Sequence, residues 1–215
     1  MTVLFITIGF LIAYMIGSIP TSVWYGNVKF GIDLRNHGSG NAGATNTFRV
    51  FGKKAGSFVM AIDIFKGYLA TSLVFFLTFY VDFTESQLVQ IQLLYGMGAV
   101  LGHIFPLYAG FKGGKGVATL LGMILAINIW AALGCVAVFL IVFLISKYVS
   151  LGSMLAGLSF PLLLLIPKLY QYSPSKVLIG FGFVLFIMLV ITHRKNIRRL
   201  IDGEENKANI SFGKK

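Results

Sequence analysis

Residues 116–146 read GVATLLGMILAINIWAALGCVAVFLIVFLIS, a run with no Asp, Glu, Lys or Arg, and the fold turns on how it is divided. As one helix it would reach about 46 Å at 1.5 Å per residue, well beyond a hydrocarbon core of roughly 30 Å. Two short helices turning near Asn128 fit as a tight hairpin. The remaining apolar stretches, at 3–25, 57–81, 88–109, 150–167 and 175–192, are each suited to one crossing. Charge then sets the topology. No basic residue precedes the first stretch, whereas Lys29, Arg35, Arg49, Lys53 and Lys54 follow it, which puts the N-terminus outside. With seven crossings, Lys112, Lys115, Lys147 and the tail bearing Arg194, Lys195, Arg198 and Arg199 share that inner face. Of the 18 Lys and Arg residues, only Lys168 and Lys176 then fall outside. Six crossings would export the basic tail. The expected fold is an all-α polytopic membrane protein with seven transmembrane helices, N-terminus outside and C-terminus cytoplasmic.

Composition agrees with the membrane class. Of the 215 residues, 57% are hydrophobic and 12% charged, and the mean hydropathy is +0.84. Soluble domains are about half apolar and about a quarter charged. One integral-membrane domain, 1–215, with a basic cytoplasmic tail at 193–215, is the economical organisation. The net charge of +11 comes with no aromatic-interleaved basic face and no DNA-binding motif, so nucleic acid is not the partner expected. A polybasic rim beside spanning helices suits anionic membrane lipid and phosphate-bearing substrates. Cys135 is the sole cysteine, which excludes an intrachain disulfide. Residues 1–28 carry no Lys or Arg, and no small-residue cleavage site follows the first apolar run, so a cleavable signal peptide is not expected. GSGNAG and KGGKG each occur once, and no second half mirrors the first.

The longest segment left between spans is 27–56, and loops of that length in so small a protein serve function. Gly38-Ser39-Gly40-Asn41-Ala42-Gly43 matches GxGxxG, with Asp63 lying 20 residues beyond Gly43. The match is a decoy, because the dinucleotide fingerprint needs a strand before it and a βαβ unit around it. Its physical content remains. Gly38, Gly40 and Gly43 let backbone N–H groups approach an oxyanion, Ser39, Asn41, Thr45 and Asn46 add neutral donors, and Arg49 offers a planar fork for phosphate. A merely flexible loop would not need so many different donors. The second constellation is Gly110-Phe111-Lys112-Gly113-Gly114-Lys115-Gly116-Val117-Ala118-Thr119. Its spacing is not that of a Walker A loop. It still places glycine N–H groups, Lys112 and Lys115 at a helix N-terminus, where the macrodipole favours anions. A positive-inside loop would explain the lysines but not Gly113, Gly114 and Gly116.

Asp63 and Lys66 stand at i, i+3 and meet on one helix face, as a structural ion pair or as part of a site. His193 and Asn196 share a face in His193-Arg194-Lys195-Asn196. A stop-transfer cluster explains Arg194 and Lys195 there but not the other two. Ser150 and Ser153 open a later span at the inner surface, where serine is ordinarily a cap, and Ser150 is also a candidate substrate-binding residue. His37 and His103 remain. Three scattered histidines without a Cys or carboxylate cluster do not make a metal site. None begins an H-x4-D pattern, since Ala42, Tyr108 and Arg198 occupy the fifth positions on.

GSIPT (17–21), GIDLRNHGSGNAGATNTFR (31–49), DIFKG (63–67), GHIFPLYAGFKGGKGVAT (102–119), YVSLGS (148–153) and HRKNIRRLIDGEE (193–205) occur in that order. Together they resemble the bacterial acyl-phosphate:glycerol-3-phosphate acyltransferase family over nearly the whole chain. The resemblance implies a seven-helix enzyme of the bacterial plasma membrane, with its site facing the cytoplasm. It would make lysophosphatidic acid from glycerol 3-phosphate and a fatty acyl phosphate, with no cofactor. By motif, Ser39 and Arg49 stand where the family has an essential serine and arginine. Gly113, Gly114, Lys115 and Gly116 stand in its glycerol-phosphate loop with Lys112 beside them, His193 and Asn196 match its last motif, and Glu205 matches a structural glutamate. Ala42 replaces a larger aliphatic, and Val149 replaces a serine often paired with Ser150.

An acyl phosphate is a mixed anhydride with a good leaving group. The resemblance therefore implies direct transfer, with two anions held together and a hydroxyl aligned on a carbonyl carbon. Ser39, Gly40, Asn41 and Thr45 are expected at the acyl-phosphate head. Arg49, Lys112, the 113–116 loop, His193 and Asn196 are expected on glycerol 3-phosphate, and the base is either His193 or a substrate phosphate. The competing reading is an organic-phosphate transporter, which would place such sites at the membrane midplane on broken helices in repeated halves. A non-catalytic scaffold binding anionic lipid explains the tail but not two anion loops.

Overall fold

The computed structural model describes residues 1–166 and 176–208. Lys168 of the expected outer loop and residues 209–215 of the tail lie outside the described residues. Every regular element among the described residues is helical, in two compact units, 1–129 and 130 onward.

In the first unit, α1 (Thr2–Gly17) and α2 (Thr21–Phe30) divide the first apolar stretch at Ser18-Ile19-Pro20. Proline lacks an N–H and its ring crowds the preceding turn, so the helix stops before it and restarts after it. Then come α3 (Ala44–Ser72), the single turn α4 (Val74–Leu77), α5 (Glu85–Ile104) and α6 (Val117–Ile127). Thr84 and Gln87 close a capping box at the start of α5. The expected loop 27–56 is therefore mostly helix, and only 31–43 is irregular around a 3₁₀ turn at Leu34–Asn36. The segment 44–51 buries Asn46 and Thr47 while exposing Thr45 and Arg49. That amphipathic pattern is invisible to a search for spans. Gly52, at φ 83° and ψ −176°, separates it from the apolar remainder of α3. That backbone region is open only to glycine.

The first unit packs through small residues. A Cβ on Gly67 of α3 would run into the Thr119 carbonyl of α6, and one on Gly122 of α6 into the Ile64 carbonyl of α3. Lipid gives no hydrophobic drive for helix association, so close backbone approach through glycine takes its place. A buried cluster of Ala13, Ala70, Val74, Ile91, Tyr95 and Ala99 joins α1, α3, α4 and α5.

The second unit holds α7 (Ile129–Ser146), α8 (Val149–Leu163), α9 (Lys176–Thr192) and α10 (Arg194–Ile201). Gly152 of α8 lies against Phe139 of α7, and Gly157 against Leu189 of α9. Between α9 and α10 the chain bends by 64° at His193. The tail returns to the α7–α8 turn, where Ala208 N–H donates to the Lys147 carbonyl at 2.9 Å.

The long apolar run does break at Asn128, between α6 and α7. Among the described residues, four helical segments have crossing length and hydropathy: Thr2–Phe30 taken across its break, Ala44–Leu77, Glu85–Ala109 and Ile129–Ser146. A fifth counts if the bent α9–α10 pair is one span. With 11 residues, α6 reaches about 16 Å, half of a roughly 30 Å core. α8 has 15 residues. Among the described residues, the seven expected crossings are thus not all matched by helices of crossing length.

Candidate active site

Two loops meet in the first unit. In the 31–43 segment, Asp33 accepts from the Arg35 backbone N–H at 2.9 Å and from its guanidinium at 2.7–3.1 Å. These bonds hold the Asp33 carboxyl below its ordinary pKa, burial opposing them in part. The other arm of Arg35 donates to the Ala109 carbonyl at 2.8 Å, tying this loop to the one before α6. Further along, a Cβ on Gly114 would lie 2.8 Å from the Ala42 carbonyl. The segments 31–43 and 109–114 therefore touch at two places.

Asn46 organises the first loop. Its side-chain oxygen accepts from Ser39 N–H at 2.9 Å, and its amide donates to the carbonyls of His37 at 2.9 Å and Leu34 at 3.3 Å. Both ends of the side chain are occupied and it is 1% exposed. It serves the expected site by holding the loop rather than by reaching outward. The N–H groups of Gly40 and Gly43 are also taken internally, by the carbonyls of His37 and Asn41. On its surface the loop exposes Asn36, His37 and Ser39, the last with Gly38 and Gly40 on either side. Thr45 and Arg49 are exposed on the first turns of α3, and Asn41 is half-buried.

The glycine loop before α6 differs from expectation in the same way. Gly113 N–H donates to the Ile104 carbonyl and Gly114 N–H to the His103 carbonyl, both at 3.1 Å. These glycines do not aim their N–H groups at an anion. They are small because a Cβ at Gly113 would strike the His103 carbonyl, and one at Gly114 the His103 ring. The cationic side chains of this loop are the exposed Lys112 and half-buried Lys115. α6 begins after Gly116 at φ 83°, and its first-turn N–H groups lack intrahelical acceptors.

Beneath the loops lies a polar network. Lys66 pairs with Asp63 at 2.8 Å, their side chains 4% and 3% exposed. Lys66 also donates at 2.9 Å to the Ile19 carbonyl at the helix break, which accepts the Thr21 N–H as well. Thr21 donates to Asp63 at 3.1 Å. His103 Nδ1 lies 3.1 Å from the Thr119 hydroxyl and 3.7 Å from Asp63.

In the second unit, His193 is 2% exposed. Its Nδ1 donates to the Leu189 carbonyl at 2.8 Å. A carbonyl only accepts, so Nδ1 carries a proton. Three groups converge on Glu205: the Asn196 amide at 2.7 Å and the Ser150 hydroxyl at 2.8 Å on Oε1, and Arg199 Nε at 2.7 Å on Oε2. Burial raises the Glu205 pKa, but these three donors outweigh it and hold the carboxyl below its ordinary value. Ser153 donates to the Val149 carbonyl at 2.8 Å, within its own helix.

The model of the family described as glycerol-3-phosphate acyltransferase matches residues 7–203. The chain belongs to that family. The glycerol-3-phosphate acyltransferase of Chlorobaculum tepidum is 43% identical, covering 95% of this chain and 96% of the relative. That of Pelodictyon phaeoclathratiforme is 44% identical with the same coverage, 95% and 96%. Among solved structures, PlsY, an integral membrane glycerol 3-phosphate acyltransferase, matches in its glycerol 3-phosphate form with a TM-score of 0.83. The identity is 36%, covering 95% of this chain and 96% of PlsY. The lysophosphatidic acid form of PlsY gives 0.80 at 34% identity, covering 95% of each chain.

Within this acyltransferase, the structure brings the Ser39 loop and the Lys112–Gly116 loop together in one unit and gathers Ser150, Asn196 and Glu205 in the other. Sequence reasoning missed Arg35, Thr21, Thr119 and His103. Arg35 read as one more inner-face charge, and its partner Asp33 only two residues away was the available signal. His103 read as a leftover histidine, although ionisable groups at membrane depth mark sites.

Proposed function

We propose that this acyltransferase moves a fatty acyl group from an acyl phosphate to the 1-hydroxyl of sn-glycerol 3-phosphate. The products are lysophosphatidic acid and inorganic phosphate, in the first step of phospholipid synthesis. The observation that carries the reading is the double tie between the loops, Arg35 to Ala109 and Gly114 to Ala42, in a chain of this family. It keeps Ser39 and Lys112 on adjoining loops of one unit.

The hydroxyl oxygen bonds to the acyl carbonyl carbon, the bond from that carbon to the phosphate oxygen breaks, and phosphate leaves with the electron pair. No acyl-enzyme is required. Ser39, Gly40, Asn41 and Thr45 serve the acyl-phosphate head, and Ser39 is a donor to the developing oxyanion, worth on the order of 3 kcal/mol. Arg49, Lys112, Lys115 and the α6 N-terminus hold the phosphate of glycerol 3-phosphate, with Gly113, Gly114 and Gly116 shaping that loop. Proximity and orientation of this kind supply roughly 7–11 kcal/mol. His193 and Asn196 carry over from the family's last motif as further residues on glycerol 3-phosphate, and Ser150 with Glu205 orients Asn196. The hydroxyl proton goes to a substrate phosphate or to His193. Single-turnover rates of His193→Ala separate the two, since an unchanged chemical step removes His193 as the base. The inner-face charge of the 31–56 and 110–115 segments supports an outer N-terminus and a site facing the cytoplasm of a bacterial cell, and the basic tail with Arg194, Lys195, Arg198 and Arg199, which six crossings would export, supports seven.

The test is purified protein in detergent with palmitoyl phosphate and glycerol 3-phosphate. Lysophosphatidate should form without a sealed compartment, and palmitoyl-CoA should not replace the donor. Product from palmitoyl-CoA but not from palmitoyl phosphate would overturn the donor assignment.

A further inference from the structure

We propose that His103, backed by the Asp63–Lys66 pair, is a positioning residue that sets the glycine loop 113–116 for its hold on glycerol 3-phosphate. The proposal rests on the reaction assigned above and extends it to residues that touch no substrate. His103 meets the loop twice, through its carbonyl, which accepts from Gly114 N–H at 3.1 Å, and through its ring, which fills the place a Gly114 side chain would occupy. Its Nδ1 faces the Thr119 hydroxyl on the first turn of α6, at 3.1 Å, and Asp63 at 3.7 Å. Asp63 is anchored in turn by Thr21 of α2 and by Lys66, which holds the broken turn at Ile19. One connected network thus runs from the α1–α2 break through α3 to the underside of the loop and to α6. A small cleft between the loops, bordered by Ala42 and Gly113, is walled by Thr21, Asp63, Lys66 and His103.

Stability does not account for the network. Of the acidic and basic side chains, only these three and His193 are buried among the described residues. A buried ion pair is often no more stabilising than apolar residues of the same volume. Three such groups gathered beneath the substrate loop, and tied to it by hydrogen bonds, fit a demand for geometry.

His103→Asn and His103→Gln test the proposal, because Asn places an amide atom where Nδ1 stands and Gln places one where Nε2 stands. Both are assayed in detergent with palmitoyl phosphate and varied glycerol 3-phosphate, with thermal unfolding recorded alongside. His103→Asn should keep KM for glycerol 3-phosphate near that of the parent. His103→Gln should raise it about tenfold, the effect of one lost hydrogen bond, with a smaller change in kcat. Equal KM in the two variants, or a loss confined to kcat, overturns the proposal. Should both fail to fold, Asp63→Asn/Lys66→Met decides. A stable double variant with raised KM supports the role, and one with parental kinetics refutes it. Parent protein that forms no lysophosphatidate sinks the assigned reaction itself, whereas an active parent with indifferent variants sinks only the positioning role.

Discussion

Gly52 offers a clean perturbation, because its backbone angles and its surroundings separate two effects that are normally mixed. At φ 83° and ψ −176° it occupies a region that costs any other residue about 1–3 kcal/mol. An added Cβ would have nothing within 4 Å, so Gly52→Ala neither collides nor gains packing. The substitution also stiffens the unfolded chain, which favours the native state by about 0.4–1 kcal/mol. The net expectation is a loss of about 0.5–2 kcal/mol, near 2–4 °C in melting temperature per kcal/mol for a chain of this size. The control is Gly180→Ala on α9, which is equally open, exposed and helical. There alanine should be neutral or stabilise by up to about 1 kcal/mol. Thermal unfolding of both variants in one detergent reads the difference directly. Relief of strain by straightening α3 would swing Arg49 and Asn46, so KM for glycerol 3-phosphate should rise in Gly52→Ala and stay put in Gly180→Ala. A Gly52→Ala protein as stable as the parent would refute the two-segment reading of α3 and the placement of Arg49 that depends on it.

Other substitutions probe single features. Ser39→Ala, on an exposed side chain, should leave the melting temperature unchanged while lowering kcat by about two to three orders of magnitude; a small loss of rate would remove Ser39 from the oxyanion. Asn46→Asp keeps the acceptor for Ser39 N–H but loses both donations to carbonyls, so it should destabilise by about 1–3 kcal/mol, and chemical unfolding that shows no difference would count against the staple. Gly122→Leu must push α6 away from the Ile64 carbonyl, at a cost of about 1–3 kcal/mol or more, visible as lost thermal stability. Glu205→Gln should cost about 1–2 kcal/mol at neutral pH, discounted because Arg199 is one third exposed. The folded pKa of Glu205 lies below the ordinary 4.5, so the carboxylate's contribution is present above that value and is lost as pH falls through the folded one. The stability gap between parent and Glu205→Gln should therefore close below about pH 4.5, and a gap that persists there would rule out the carboxylate as its source.

The helical membrane class was legible because it rests on composition, and the break at Asn128 because it rests on length. The start of α3 was not, since 44–51 carries Thr45, Asn46, Thr47 and Arg49 and reads as polar loop when only long apolar runs are sought. Its helicity comes from burying Asn46 and Thr47 against the preceding loop, a tertiary effect. The two glycine clusters were correctly singled out, but for a reason that the geometry revises. Both looked like sources of N–H donors, whereas the N–H groups of Gly40, Gly43, Gly113 and Gly114 close onto neighbouring carbonyls. Sequence shows that a side chain is absent, not whether a ligand or another backbone fills the space. Gly114 makes the distinction concrete, because the occupant of its missing side chain is the ring of His103.

Gly67 and Gly122 bring the backbones of α3 and α6 close enough that a methyl group would collide with a carbonyl. Asp63 lies one turn before Gly67 on α3, and Thr119 one turn before Gly122 on α6. Asp63 and Lys66, which back His103 of α5, and Thr119, which faces it, therefore sit on a helix pair packed directly through glycine. In water such a pair would be held by hydrophobic burial. In lipid it is held by contact at short range, which falls away steeply when the helices part. The proposed direct transfer, with no acyl-enzyme, would draw most of its acceleration from placing two bound anions correctly, and errors near 1 Å cost on the order of a hundredfold. Rigid support directly beneath the loop is what that chemistry demands. Close glycine packing of α3 against α6 and the buried Asp63–Lys66–His103 network are thus two parts of one device, the first fixing the helices and the second carrying their position up to Gly114.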